Sequence, residues 1–218
     1  MFRVISDEPL HLSNRTLLIP AVSVGAVSTL ALDLLLNSHA HKKLAWVYTD
    51  YFLPFVGNSA LDHSTSLSFP IELYELSAQL VVLQIRSLCR DPEGFTEKLL
   101  NWCKDSGITQ IVLASSNWDE MKVNELEPDL FWVKNSSSQL AWDLDFKEFE
   151  QYKEYLKGAG LSKKIMKSEI PTNAVFVYGR EVPADVPNAY KLAEGLGRVL
   201  GLSTQFTAPR SWQGILAS

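Results

Sequence analysis

The chain has 218 residues, 46% of them hydrophobic, with a formal net charge of −5 and two cysteines. That length can bury a substantial core, and the apolar content excludes wholesale disorder. The acidic balance leaves no dominant positive field for a general nucleic-acid or anionic-membrane binder, and two cysteines make no disulfide framework of the exported kind.

The opening stretch, Met1 to Leu10, is mixed and acidic and lacks the order of a secretory signal, so a cytoplasmic or nuclear protein is expected. Thr16 to Pro20 is a continuous apolar run, which predicts a strand covered on both faces. Pro20 has no N–H for a sheet ladder and should end it. Ser23 can cap a following helix, and Gly25 lets the backbone turn closely into it. The helix predicted from Ser28 to Asn37 carries one stripe of Val27, Leu30, Ala31, Leu34 and Leu35, broadened by Leu32 and Leu36, with Asp33 as its single charge.

The competing reading of this stretch is a membrane span. It would have to absorb Pro20, Ser23, Gly25 and Asp33, and a central Asp costs about 2.5 to 3.5 kcal/mol on insertion scales. His41, Lys42 and Lys43 follow and leave an anchor open, but downstream segments repeat a soluble α/β pattern.

A strand is predicted at Leu44–Tyr48, then a loop from Tyr51 to Phe69 punctuated by Pro54, Gly57 and Asn58. Ile71–Leu76 and Leu80–Ile85 read as paired strands turning near Ser77 and Ala78. Pro92 and Glu93 open a helix reaching about Lys104, with Phe95, Leu99, Trp102 and Cys103 on one face and Gly107 as its stop. Ile108–Ala114 is another buried strand, leading into Ser115 and Ser116. This order predicts an α/β domain with a mixed, largely parallel sheet and helices on both faces.

The pattern weakens from Asn117 to Leu140, and residues 117–157 read as a variable excursion with Ser136, Ser137 and Ser138 as an exposed connection. Phe146, Phe149, Tyr152, Lys153 and Leu156 can form a helical face before Gly158. A short helix at Ser162–Glu169, a strand at Ala174–Tyr178 and a helix at Ala189–Leu200 complete one domain over residues 1–218, with a tail near 205–218.

Candidate chemistry is sparse. Gly158-Ala159-Gly160-Leu161-Ser162-Lys163 imitates a phosphate-cradling loop without the full pattern, and a tight turn with a solvated lysine accounts for it. Ser115, Ser116 and Asp50 fall near the ligand edge of such a sheet, where loop capping competes with ligand binding; no histidine is spaced as a base. His39 and His41 lack a third metal ligand. Cys89 and Cys103 read as buried thiols, not reactive thiolates. Trp46 and Trp102 fit core faces, while Trp118, Trp132 and Trp142 pin the excursion or meet a protein. Trp212 either docks the tail on its own domain or anchors a partner.

The segments Leu18–Gly25, Ala31–Leu34, Tyr48–Asp50, Val56–Asn58, Leu83–Ser87, Lys98–Trp102, Ile111–Ser116, Gly158–Lys163, Pro187–Ala189 and Ser211-Trp212, taken in order, resemble the α/β family of proteasome assembly chaperones. The resemblance spans most of the chain and is weakest from Trp118 to Tyr155. It implies a nucleoside-phosphorylase-like fold, no cofactor and no catalysis. It further implies a heterodimer with proteasome assembly chaperone 1 that binds proteasome α subunits, promotes α-ring formation and hinders unproductive ring dimerisation.

Two departures stand out. The family often carries an acidic Gly-Asp-Asn sequence near the last strand, where this chain reads Tyr178-Gly179-Arg180-Glu181. Some assembly factors end in a hydrophobic-Tyr-any tail, whereas here Leu216-Ala217-Ser218 has no penultimate Tyr. Trp212, Leu216 and Ser218 are the expected partner-binding residues, with Leu216 filling an apolar pocket and the Ser218 carboxylate meeting a lysine. The second functional reading is a small-molecule enzyme of phosphorylase-like fold, which requires convergent cationic and polar groups at the strand edge.

Overall fold

A computed structural model describes residues 1–21, 23–61, 66–122, 128–140, 142 and 160–213. Strands β1 (Phe2–Ile5), β2 (Thr16–Pro20) and β3 (Lys42–Thr49) are followed by a small antiparallel pair, β4 (Gly57–Asn58) and β5 (Leu67–Ser68). Then come β6 (Ile71–Ser77), β7 (Leu80–Ile85), β8 (Gln110–Trp118), β9 (Leu130–Lys134) and β10 (Thr172–Gly179). The helices are α1 (Val27–Ser38), α2 (Pro92–Asp105), α3 (Gly160–Met166) and α4 (Val186–Leu200).

Eight strands form one sheet in the order β1-β3-β6-β7-β2-β8-β10-β9. β7, β2, β8 and β10 run parallel, and the antiparallel β3–β6–β7 steps bring β3 into the same direction. The edge strands β1 and β9 run against their neighbours. The domain is therefore the single α/β layer structure with a mixed, mostly parallel sheet that the element order predicts.

Alternation along β2 divides the interior in two. Leu17 and Ile19 join Phe95, Leu99 and Cys103 of α2 and Leu161 and Ile165 of α3 on one face. Leu18 joins Val27, Leu30, Leu34 and Leu35 of α1 and Leu192 and Leu196 of α4 on the other. Every residue of β2 after Thr16 is buried, because both faces are covered. α1 is buried on nearly all sides because α4 packs against it, which explains its broad apolar girth. Among the described residues no helix is long and apolar enough to cross a membrane.

Pro92 opens α2 and Gly107 stops it as expected, and Asp91 supplies a cap that the sequence reading does not include. Asp91 accepts a hydrogen bond from the Gly94 N–H at 2.9 Å ahead of Pro92, and Gly107 ends α2 with φ 72°. The β6–β7 hairpin forms as expected, with β6 extending to Ser77.

Other expectations need correction. β1 and β9 were not foreseen, and both are short edge strands whose sequence has no room to show alternation. The predicted loop from Tyr51 to Phe69 carries β4 and β5. Within the expected excursion, β8 runs on to Trp118 and Trp132 is buried in β9. Trp46 and Trp102 are half-buried instead of core: Trp46 stacks on Phe69 with centroids 4.5 Å apart, and Trp102 lies 6.3 Å from Phe2. The helical face read from Phe146 to Leu156 lies outside the described residues.

Candidate functional site

Because β3, β7, β2, β8 and β10 share a direction, the turns that leave them gather at one edge of the sheet. This is the edge where open α/β sheets bind ligands, and it holds a cleft of about 520 Å³.

The back wall is the turn after β2. Gly25 and Ala26 both adopt left-handed backbone, at φ 63° and 53°. Gly25 is required on a second count: a Cβ there would stand 2.7 Å from Asp185 Cβ and 2.9 Å from the Arg180 carbonyl oxygen. Ser23 is not the cap the sequence suggests, since Ala26 holds that position without a side-chain bond, but its Oγ accepts from the Ser28 N–H of the first turn at 2.9 Å. The Asp185 N–H donates to the Gly25 carbonyl at 2.9 Å, so the turns before α1 and α4 are bound together.

The banks are apolar. On one side Phe52 forms a lone antiparallel bridge with Cys89, and the Leu53 N–H donates to the Leu88 carbonyl at 3.1 Å. Ser87 Oγ donates to the Leu53 carbonyl at 2.6 Å, which closes the clasp. On the other side stand Val182 and Pro183. Leu88 is 70% exposed and Val182 43%, so the cleft opens between two apolar side chains in water. Trp118, 48% exposed, ends β8 at the same edge.

Among the described residues one cation lines the cleft, and it is already engaged. Arg86 Nη2 donates to Asp33 Oδ1 at 2.6 Å and Nη1 to Glu72 Oε2 at 2.8 Å. Glu72 is 0% exposed and also pairs with Lys43, and it accepts from the Tyr74 hydroxyl at 2.8 Å. Gln84 Nε2 donates to Asp33 at 2.7 Å. Burial pulls the Arg86 pKa down, but Asp33, Tyr74 and Glu72 more than offset this, and the guanidinium stays charged above its ordinary value. Burial likewise pushes the Tyr74 phenol up. Asp33, the single charge of α1, thus belongs to a closed set of two carboxylates and two cations.

The residues singled out from sequence do not assemble into a reaction centre. Ser115 and Ser116 lie inside β8, in register with Phe176 and Val177, and not in a loop beyond it; the strand continues because β10 pairs along its whole length. Ser116 Oγ donates to the Val24 carbonyl at 3.0 Å. Asp50 pairs with the Met1 ammonium. Of the glycine turn, Gly160 opens α3 and Lys163 is exposed. His39 Nδ1 donates to the Leu35 carbonyl at 2.8 Å, and among the described residues no three side chains gather as a metal site. Burial pushes the Cys103 thiol up to about 12 and raises Cys89 as well.

Trp212 is buried at 2% exposure, edge-on to Tyr190 at 6.4 Å, and Ser211 Oγ donates to the Ala60 carbonyl at 2.8 Å. Its ring packs on its own domain. Leu216 and Ser218 lie outside the described residues. Sequence reasoning missed Leu88, Val182 and the buried role of Arg86. The readable signal was a leucine placed in an otherwise polar turn, Arg86-Ser87-Leu88-Cys89-Arg90.

A family model described as the PAC2 family matches residues 17–206. Proteasome assembly chaperone 2 of Bos taurus is 42% identical over a stretch covering 54% of this chain and 47% of that protein, about half of its length. Proteasome assembly chaperone 2 of Xenopus tropicalis is 29% identical, covering 100% of this chain and 97% of that protein. Among solved structures, PbaA of Pyrococcus furiosus, an archaeal homolog of proteasome-assembly chaperone, superposes with a TM-score of 0.70 at 12% identity, covering 100% of this chain and 91% of that one. That likeness is one of fold.

Proposed function

The chain belongs to the PAC2 family, and on that premise we propose that it is an assembly chaperone of the proteasome core particle that works by docking and not by bond-making. In this reading it pairs with proteasome assembly chaperone 1, and the pair binds α subunits, promotes α-ring formation and hinders ring dimerisation in cytoplasm and nucleus. Its whole-chain relatives bear the name of proteasome assembly chaperones, which supports the role.

The observation that carries it is the composition of the strand-edge cleft. An enzyme of this fold needs free cationic and polar groups there. The described lining is instead mainly apolar, its cation is held by two buried carboxylates, and Leu88 and Val182 stand in solvent at its mouth. Exposed apolar side chains around a concave floor suit a protein partner.

Native mass spectrometry of the chain with proteasome assembly chaperone 1 and individual α subunits tests this. A stable complex with at least one of them is expected. Failure to form any complex, alone or in combination, sinks the reading.

A further inference from the structure

We draw no further inference here: the strongest candidate, the apolar mouth of the strand-edge cleft between exposed Leu88 and Val182, carries nothing beyond the docking role, because nothing in the structure shows what covers it.

Discussion

Arg86 Nη2 and Asp33 Oδ1 meet 2.6 Å apart, each side chain about nine-tenths buried, and so join the carboxyl end of β7 to the middle of α1. The pair matters because Glu72, on β6, holds the other arm of the same guanidinium. Removing the cation leaves two carboxylates in the interior with Lys43 alone to answer them.

Arg86→Met should therefore destabilise by about 3–5 kcal/mol, the cost typical of breaking a buried pair from one side. Adding Asp33→Asn and Glu72→Gln to it should recover much of that loss, because no buried carboxylate is then uncompensated and Lys43, a third exposed, keeps the Leu67 carbonyl. Urea unfolding midpoints of the two variants decide the matter; equal midpoints would show that the network is solvated.

Trp212→Ala should cost about 3–5 kcal/mol, as for other large buried aromatics. The tail is also held by Asn37 Nδ2 donating to the Thr207 carbonyl at 2.9 Å and by the Thr207 N–H donating to Ser38 Oγ at 2.8 Å. Loss of the ring should thus open the segment from its far end, read as faster tryptic cleavage after Arg210. Unchanged cleavage would mean that the polar contacts alone retain the tail.

Gly25→Ala should destabilise by about 2 kcal/mol or more, because a left-handed residue gains a Cβ and that Cβ meets Asp185 and Arg180. Gly57→Ala is the control, since a Cβ there touches nothing and its effect should stay within about 0.5 kcal/mol. Thermal denaturation of the two variants gives the comparison.

The thiols give a pH prediction. Burial lifts Cys103 to about 12, above an unfolded value of about 8.5, so the native state favours the protonated thiol. That contribution is complete below about pH 8.5 and is lost progressively as pH rises toward 12. Cys103→Ala should flatten the alkaline fall in stability over that window. At neutral pH a maleimide should label half-buried Cys89 slowly and reach Cys103 only after unfolding.

Much of this was legible in the residues. Apolar runs flanked by Pro and Gly announced β2, α1 and α2, since both faces of the central sheet are covered and each element advertises its burial. The edge strands escaped for different reasons: β1 is four residues, none of them buried, whereas β9, buried at its centre, carries only three apolar residues between Leu130 and Lys134 and stands in a stretch without a clear pattern. The cleft was half visible. Ser23 and Gly25 marked its back wall, but its banks come from turns after β3, β7 and β10, and only the fold brings those turns together. Arg86 looked like an ordinary residue at a strand's end; its burial depends on Asp33 and Glu72, which lie far off in sequence.

The contact between Gly25 and Asp185 makes the rear of the cleft a single piece of masonry built from opposite ends of the gene. Whatever occupies the cleft meets that stone at its rear and the exposed leucine and valine at its doorway. Variants should accordingly alter who enters more readily than how deep the recess runs.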